Sequence, residues 1–348
     1  LRIGFFNHIP FPGYEIFAQL PWRRQLIEGL LGADLLGFQR QGDATNFLRA
    51  CRRAAGLTTR GSMVRVPQPG TDRPAARSSA GHRRAGPPPT EHDRTVRAGT
   101  FPISIDAAGF EAIARRPEVR ARAAEIRQAL GQPEIVLLGV DRLDYTKGIS
   151  HRLKAYREVL AEGRLSSPDA VLVLVASPSR ERVEEYRALR DEVEVTVGRI
   201  NGEFGEVGSA PVHYLHQSYP QEEMAALYLA ADVMLVTSLR DGMNLVAKEY
   251  VACRYDESGA LVLSEFTGAA DELGSAFLVN PHDIAGLKDA IVRATRISPL
   301  EARRRMRSLR RRVREYDVVH WAKTFLDALH GEPAAVGAEP ERESSIQH

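Results

Sequence analysis

The second half of the sequence alternates short apolar runs with amphipathic stretches, and this alternation restricts the chain to few folds. The apolar runs are rich in Val and Leu and show little polar alternation, as is typical of strands buried on both faces. They lie at residues 135–140, 171–176, 212–215, 233–237, 260–263 and 277–279. Helical patterns lie between them at residues 149–161, 182–193, 221–231 and 244–253. Strand and helix in regular succession predict an α/β fold with a doubly wound parallel sheet.

A shorter version of the same alternation occupies residues 1–66. Strand patterns at residues 3–6 and 34–38 alternate with helical patterns at residues 20–31 and 43–55. The chain is therefore predicted to contain part of one Rossmann-like domain followed by a complete one. Because it opens directly on an apolar strand, we expect a further segment to precede it.

These patterns predict a partial N-terminal domain over residues 1–107 and a C-terminal domain over residues 108–331, with a flexible polar tail at 332–348. The C-terminal domain should end in one long helix or two abutting ones at 299–331, where apolar residues recur at helical spacing. Within the first domain, residues 67–98 are predicted to be a disordered insert. Residues 67–95 contain no Val, Ile, Leu, Met or aromatic residue, so they cannot offset their ordering entropy by apolar burial. An anion-binding role for this basic segment is the alternative.

Composition argues against several classes of protein. The formal net charge of the 348-residue chain is only +2, so its charge does not predict a nucleic-acid partner. The two cysteines, Cys51 and Cys253, lie far apart and form no metal-binding motif with histidine, so we expect no metal. So few cysteines favour a reducing compartment, and no apolar run approaches the length of a membrane span. We therefore expect a cytoplasmic protein without a membrane partner.

Polar residues and glycine follow four of the predicted strands. These segments are residues 141–148, 177–180, 238–244 and 264–268. Ligands of open α/β sheets bind beyond the carboxyl ends of the strands, and these four segments all lie at that edge. The sequence therefore predicts a ligand site there.

Arg142 and Lys147 both lie in the first of these loops. Two cations at fixed positions suit a diphosphate, because charge-assisted hydrogen bonds contribute about 1.5–3 kcal/mol each. The alternative is that both are ordinary surface charges paired with Asp141 and Asp144.

The predicted helix at 244–253 is directly preceded by the loop residues Asp241, Gly242 and Met243, and Asn244 is its first residue. Gly242 would let the backbone approach a ligand closely, and the helix start offers N–H groups and a positive dipole end to phosphate or sugar oxygens. An N-cap by Asp241 or Asn244 is the alternative, and the two roles are compatible. Glu249, further along the helix, is either an acceptor for two ribose hydroxyls or an ordinary helix charge.

His8 follows the first predicted strand, beside a proline-rich turn. That position favours a functional role, although a structural role remains the alternative. The sequence contains no G-x-S-x-G, no Walker loop and no recognisable pair of catalytic carboxylates. It also lacks G-x-G-x-x-G after a predicted strand, which disfavours a dinucleotide-dependent enzyme. The residues point to phosphate and sugar binding rather than to covalent catalysis.

Several segments together resemble the trehalose-6-phosphate synthase family. They are the segments 8–12 (HIPFP), 139–149 (GVDRLDYTKGI), 199–202 (RING), 240–250 (RDGMNLVAKEY) and 263–268 (LSEFTG). The resemblance covers nearly all of residues 1–66 and 99–330. It implies a glycosyltransferase B fold, in which two Rossmann-like domains enclose the active site and the first domain is here incomplete. It also implies transfer of glucose from UDP-glucose, or another nucleotide-glucose, to glucose 6-phosphate with retained anomeric configuration.

The resemblance implies roles for the residues that bind the donor. Arg142 and Lys147 would hold the diphosphate, and Asp241 would bind the glucose hydroxyls. In binding the glucose, Asp241 would be assisted by the backbone N–H groups of Gly242, Met243, Asn244 and Leu245.

Further residues follow from the same resemblance. Leu245 and Val246 would line the nucleotide pocket, and Glu249 would bind the ribose. His8 would contact the transferred glucose, and Arg180 would bind the 6-phosphate of the acceptor. The family mechanism implied is a front-face displacement without an enzyme nucleophile and without a cofactor, which agrees with the missing carboxylate pair.

Two alternatives to this activity remain. One is a sister activity with a different phosphorylated acceptor, such as glucosylglycerol-phosphate synthase. The other is a nucleotide-sugar-binding remnant without transfer activity, which is favoured because nothing in this chain matches the family's upstream glycine-rich donor loop. An incomplete sheet would expose apolar surface and strand edges, so a homo-oligomer or other partner pairing is also expected.

Overall fold

The computed structural model describes residues 1–67 and 93–331, which form two β-sheets with helices around them. The elements of the first part are β1 (Gly4–Asn7), α1 (Tyr14–Phe17), α2 (Arg23–Leu30), β2 (Leu35–Phe38), α3 (Gln41–Ala55), β3 (Thr59–Arg60), β4 (Met63–Val66) and β5 (Arg94–Thr100). The strand order is β1-β2-β5-β4-β3. Strands β1, β2 and β5 run parallel, whereas β4 and β3 form an antiparallel extension.

The second sheet is entirely parallel and has the order β11-β10-β9-β6-β7-β8. Its strands are β6 (Ile135–Arg142), β7 (Ala170–Ser177), β8 (Val212–Leu215), β9 (Val233–Val236), β10 (Ala260–Ser264) and β11 (Phe277–Val279). The helices in this part of the chain are α4 (Ala107–Ala114), α5 (Pro117–Ala129), α6 (Ile149–Ala161), α7 (Glu184–Phe204), α8 (Gln221–Ala230), α9 (Leu245–Cys253), α10 (Ile284–Thr295), α11 (Pro299–Glu315) and α12 (Val318–His330). The predicted α/β class with two Rossmann-like units is confirmed.

Burial on both faces explains why the strands of the second sheet read as continuous apolar runs. In β6, Val136 and Leu138 pack in a cluster with α4, α5, α8, α9 and α11. Leu137 points to the other face and packs with α6, α7 and α10. Each fully buried aliphatic side chain contributes about 1.5–3 kcal/mol, so neither face tolerates a polar alternation.

The predicted strands of the second sheet lie where the sequence placed them, and the helix predicted at 149–161 has the observed bounds of α6. The helix predicted at 182–193 begins two residues later and extends to Phe204. It continues because Val193, Val197 and Ile200 keep its buried stripe against the sheet.

The predicted disordered insert at 67–98 is wrong over residues 94–98. These residues belong to β5, which lies between β2 and β4 and buries Val96 and Ala98. Composition misled the prediction because a central strand obtains its stability from pairing partners that are distant in the sequence. Of the rest of the predicted insert, residues 67 and 93 lie outside regular secondary structure, and residues 68–92 lie outside the described residues, as does the predicted tail at 332–348.

The helical pattern at 299–331 forms two helices, one of the two predicted outcomes. The break falls at Tyr316 and Asp317, and the Asp317 side chain caps α12 by accepting a hydrogen bond from His320 N at 2.9 Å. After this break α12 reaches the first sheet, where Phe325 packs against Phe6 and Phe101. The division into domains at residue 107 stays a prediction.

Within residues 1–67 and 93–331, no helix is long and apolar enough to cross a membrane. The same residues contain no group of three or more His, Cys, Asp and Glu side chains placed to hold a metal ion. Both cysteines are free and buried.

Candidate active site

A cavity of about 430 Å³ lies at the carboxyl edge of the second sheet, where loops of the first sheet meet it. Its lining residues are His8, Gln39, Ile103, Val140, Asp141, Arg142, Lys147, Asp241, Met243, Asn244, Leu245 and Val246. Eight of the eleven site residues predicted from the sequence are in this set, and Gly242 lies in the same loop. Arg180 and Glu249 are not part of the lining. The cavity therefore gathers most of the predicted site.

The loop after β6 supplies two cations with different surroundings. Lys147 Nζ lies 2.6 Å from Asp241 Oδ2, across the cavity floor from one strand end to another. Arg142 is exposed and its guanidinium donates no hydrogen bond to any residue of the described ranges, although its charge lowers the pKa of Asp144. Asp144 caps the short 3₁₀ turn by accepting from Thr146 N at 2.8 Å. Of the two cations, Arg142 is the one left available to an anion.

The loop before α9 is shaped by Asn244. Its backbone is left-handed, with φ 80°, and its side-chain oxygen accepts from Ala247 N at 3.0 Å. Its amide nitrogen donates to Asp241 Oδ2 at 3.2 Å. Asn244 is therefore the N-cap, and Asp241 is held between the Asn244 amide and Lys147. This arrangement points the positive end of α9 at the cavity, because Leu245 and Val246 in its first turn line the wall.

Gly242 brings the two sheets into contact. A Cβ at this position would overlap the His8 carbonyl oxygen, and a Cβ on Gly268 would overlap the carbonyl oxygen of Gly242. The sequence predicted that Gly242 allows close approach of a ligand, whereas its tightest neighbour is the backbone after β1. This glycine is required for the seam that brings His8 to the cavity.

A buried ion pair lies beneath the cavity. Arg152, on α6, is fully buried and donates to Asp141 Oδ2 at 2.7 Å and to Thr237 Oγ1 at 3.1 Å. Gly139 makes room for it, since a Cβ there would overlap the guanidinium. Burial raises the pKa of Asp141, and the charges of Arg152 and Lys147 oppose that rise. Cations and carboxylates therefore alternate from Arg152 through Asp141 and Lys147 to Asp241.

A second buried ion pair joins Lys248, in the first half of α9, to Glu272. Lys248 Nζ donates to both carboxylate oxygens of Glu272, at 3.0 and 3.1 Å, and to the carbonyl of Ile103 at 3.0 Å. Burial lowers the pKa of Lys248, and Glu272 opposes this change. Because Ile103 lines the cavity, this lysine ties the segment between the two sheets to α9.

Glu249 lies behind the cavity wall rather than in it. It is half-buried and accepts a hydrogen bond from the Tyr228 hydroxyl at 2.8 Å. Burial raises the pKa of Glu249, and the Tyr228 hydrogen bond acts against the rise. The carboxylate is one helical turn beyond Leu245, so it can face the far end of a ligand that enters along α9.

Substitution of Glu249 should change how stability depends on pH. Burial raises the pKa of Glu249 in the folded state, so the folded chain is most stable while this carboxyl group is protonated, below the ordinary pKa of 4.5. That stability is lost as pH rises through the raised folded-state pKa. Glu249→Gln removes this loss. We expect the unfolding free energy of Glu249→Gln minus that of the native chain to increase as pH rises from about 4 to about 7. Urea titrations at each pH measure this difference. A difference that stays constant with pH would contradict the raised pKa.

Arg180 is held near the loop after β6 but outside the cavity lining. Its guanidinium donates to the Tyr186 hydroxyl at 2.9 Å, and Tyr186 donates in turn to Asp144 Oδ2 at 3.3 Å. The backbone of Arg180 is left-handed, with φ 48°, which is uncommon for a residue with a side chain. The structure thus fixes Arg180 beside the same loop as Arg142.

Sequence reasoning missed four contributors to this site. Gln39 lines the cavity and follows β2, so the rule about carboxyl ends of strands could have found it. Arg152 shares the buried face of α6 with Ile149, Leu153 and Tyr156, and a charge at such a position is a detectable signal. Ile103 and Lys248 carried no local signal.

The arrangement suits recognition of a phosphorylated, hydroxyl-rich ligand. It offers Arg142, Lys147 and a helix N-terminus to negative charge, and Asp241 to hydroxyl groups. The two carboxylates that line the cavity, Asp141 and Asp241, are both already bound to cations. Neither is placed as a free nucleophile, which supports binding chemistry over a covalent intermediate.

Comparison with known proteins agrees with this geometry. The profile of glycosyltransferase family 20 matches residues 1–331. The trehalose-6-phosphate synthase of Mycolicibacterium vanbaalenii is 57% identical over 329 residues, which are 94% of this chain and 64% of that protein. The enzyme of the same description from Mycobacterium tuberculosis is 56% identical over 331 residues, 95% of this chain and 63% of that protein. The chain thus spans less than two thirds of the length of these relatives.

Solved structures of the same kind superpose on the fold. An α,α-trehalose-phosphate synthase from Burkholderia xenovorans, in complex with glucose 6-phosphate, matches with a TM-score of 0.83 and 35% identity, covering 95% of this chain and 68% of that one. An Escherichia coli structure described as bound with UDP-2-fluoro glucose matches with a TM-score of 0.82 and 35% identity, covering 94% and 67%.

Proposed function

This chain belongs to glycosyltransferase family 20, and on that premise we propose that its protein transfers glucose from a nucleotide-glucose to glucose 6-phosphate. The donor would be UDP-glucose foremost, and the product α,α-trehalose 6-phosphate with retained configuration. The observation that carries this proposal is the Lys147–Asp241 contact at the start of α9, with Arg142 left available beside it. It joins a phosphate-binding group and a hydroxyl-binding group in one cavity.

The donor is proposed to lie along the start of α9. Arg142 and Lys147 hold the diphosphate, whose charge also meets the helix dipole. Asp241 is fixed by Lys147 and Asn244, which supports a role in binding glucose hydroxyls with defined orientation. The backbone N–H groups of residues 242–245 assist at the sugar and the phosphates.

The nucleoside is proposed to occupy the apolar part of the cavity. Leu245 and Val246 line its wall, which supports a role in contacting the base. Glu249 would accept the ribose hydroxyls, and its hydrogen bond from Tyr228 leaves one carboxylate oxygen for this purpose. His8 would contact the transferred glucose from the opposite sheet.

The acceptor is proposed to reach the cavity from the side of Arg180. Its 6-phosphate would pair with that guanidinium, which Tyr186 already holds in one orientation. The Burkholderia xenovorans relative solved in complex with glucose 6-phosphate is consistent with this chemistry. A sister activity with a different phosphorylated acceptor would use the same arginine.

The proposed reaction is a front-face displacement. The acceptor hydroxyl oxygen forms a bond to glucose C1 as the bond from C1 to the diphosphate oxygen breaks, and the hydroxyl proton passes to the departing phosphate. Arg142 and Lys147 stabilise the charge that develops on that phosphate. The ion-paired state of Asp141 and Asp241 supports a route without a carboxylate nucleophile. The proposed route uses no cofactor.

A second candidate is nucleotide-sugar binding without transfer by this chain itself. The observation that favours it is the position of Arg180, the proposed acceptor-binding residue, outside the lining of the cavity that holds the donor-side residues. The described part of the cavity is donor-side, so donor binding could persist without turnover. A cytoplasmic location is proposed with either candidate, since both cysteines are unpaired, and a homo-oligomer remains part of the proposal.

Calorimetric titration with UDP tests the donor site. We expect saturable binding by the purified chain, weakened about tenfold or more in Arg142→Ala and in Lys147→Ala, because each removes a charge-assisted hydrogen bond to the diphosphate. Arg157→Ala is the matched control, since Arg157 lies on the neighbouring helix α6 and pairs with Glu203 at the surface. It should bind UDP as the native chain does.

The outcomes separate the two candidates. UDP binding together with transfer of glucose from UDP-glucose to glucose 6-phosphate supports the transferase proposal. UDP binding without transfer supports the second candidate, nucleotide-sugar binding alone. Equal UDP affinity in folded Arg142→Ala, Lys147→Ala and native chains would remove the proposed donor site.

A further inference from the structure

A second cavity, of about 320 Å³, lies where β5 and the segment after it meet the junction of α11 and α12. Its walls carry three groups that can be positively charged, Arg97, Arg312 and His320, together with the aromatic rings of Tyr316 and Trp321. It shares no lining residue with the candidate active site. Its size matches the lower range of small-molecule sites.

The two arginines of this cavity lack acceptors. Within residues 1–67 and 93–331, neither the Arg97 nor the Arg312 guanidinium donates a hydrogen bond or forms an ion pair. Both side chains are partly buried. Neither is fully buried, unlike Arg152 and Arg310, whose guanidinium groups donate to carboxylate and carbonyl oxygens. Two guanidinium groups that line one cavity and donate to no described acceptor can hold an anion between them.

The acidic residue of the cavity does not satisfy them. Glu272 lines the same wall, but both of its oxygens accept from Lys248, at 3.0 and 3.1 Å. Lys248 and Glu272 cancel each other, so the charges of Arg97 and Arg312 remain uncompensated by described neighbours. The cavity is accordingly positive.

The aromatic rings of the cavity indicate which group could accompany the anion. The Arg312 guanidinium lies 3.5 Å from the centroid of the Tyr316 ring. This cation–π contact fixes the orientation of the planar guanidinium. Trp321 donates its indole N–H to the carbonyl of Phe101 at 3.1 Å, so its ring is held at one angle. Flat, fixed surfaces beside guanidinium groups suit a ring that carries a phosphate.

We propose that this cavity is a binding site for a phosphate monoester attached to a flat ring, separate from the donor site. The phosphate lies between Arg97 and Arg312, and the ring packs against Trp321 and Tyr316. The proposal does not depend on the proposed transferase function, because it uses none of the residues of the candidate active site.

Fluorescence of Trp321 provides the test. The chain has two tryptophans, and Trp22 is an exposed surface residue, so Trp22→Phe leaves Trp321 as the single reporter. In this background we expect a saturable change on titration with phenyl phosphate. Inorganic phosphate should bind more weakly and phenol should give no saturable change, because each lacks half of the recognised group.

Substitutions decide whether the response comes from this cavity. Arg97→Ala and Arg312→Ala should each raise the dissociation constant for phenyl phosphate about tenfold. Arg311→Ala is the matched control, since Arg311 is an exposed neighbour on the same helix, and it should leave the constant unchanged. Lys147→Ala should also leave it unchanged, which separates this response from phosphate binding at the donor site.

Several results would overturn the proposal. They are the absence of a saturable response in the folded chain, a response to phenol equal to that to phenyl phosphate, and a loss of binding in Arg311→Ala as large as in Arg312→Ala. Retained binding in the folded double variant Arg97→Ala/Arg312→Ala would do the same. Far-ultraviolet circular dichroism of each variant establishes that it is folded.

Discussion

Arg152→Met is expected to lower the unfolding free energy by about 3–5 kcal/mol at neutral pH, the typical cost of removing one partner of a buried ion pair. The Arg152 and Asp141 side chains are 0% and 2% exposed, so the variant would leave the Asp141 carboxylate buried without its closest cation. Thr237 would lose a hydrogen-bond donor as well. Urea titrations of the native chain and the variant measure this difference.

The destabilisation should be smaller at low pH. Burial raises the pKa of Asp141, and loss of Arg152 removes a charge that opposes the rise. In the variant, protonated Asp141 is tolerated, so stability is greatest below the unfolded-state pKa and is lost as pH rises through the raised one. The gap between the variant and the native chain should therefore widen as pH rises from the ordinary range of an aspartate pKa to neutrality.

Two further variants identify the cause. Arg157→Met removes a surface pair, with Arg157 and Glu203 about 40% exposed, and should cost about 0–1 kcal/mol. Arg152→Met/Asp141→Leu removes both buried charges and should recover much of the lost stability. Equal costs for Arg152→Met and Arg157→Met would show that the buried pair is not what holds this region together.

Gly148→Ala is the second substitution with a large expected effect. Gly148 has φ 64°, and a Cβ there would overlap the backbone carbonyl oxygen of Thr237. The left-handed conformation costs a residue with a Cβ about 1–2 kcal/mol, and the overlap adds about 1–3 kcal/mol because a backbone atom cannot move aside. The loop carrying Lys147 must then shift, so UDP binding should weaken together with stability.

Gly163→Ala isolates the conformational part. Gly163 has φ 65°, but a Cβ there would meet no atom within 4 Å beyond its own chain neighbours. Gly163 follows Glu162, the C-cap of α6, at the end of the helix away from the cavity, so the substitution should cost only about 1–2 kcal/mol and leave UDP binding intact. If the two alanine variants lose the same stability and bind UDP equally, the contact between Gly148 and Thr237 does not position the loop.

The sequence by itself located the strands of the second sheet and the polar loops that follow them. This was possible because a run of Val and Leu, as at β7, reports burial on both faces without knowledge of its partners. Because parallel strands all end at the same edge of a sheet, the prediction placed Arg142, Lys147 and Asp241 at that edge. The motifs around His8 supported the same site through family resemblance.

Local sequence did not reveal which distant groups would meet. Residues 94–98 look unstructured by composition, yet they pair between β2 and β4. Gly242 was assigned to a ligand, but its nearest neighbour is the His8 carbonyl oxygen, and Glu249 meets the Tyr228 hydroxyl behind the wall. Periodicity reports whether a position is buried, but it does not report the partner.

The buried charges show this limit most clearly. Arg152 is a charge on an apolar helix face and Lys248 carries no local signal, and only the tertiary structure brings Asp141 and Glu272 to them. A buried cation needs carboxylate or carbonyl oxygens beside it, and the carboxylate partner of Lys248 is 24 residues away in the chain. The residues that form the cavity were therefore largely readable from sequence. The ion pairs that hold it in shape depend on contacts across the fold.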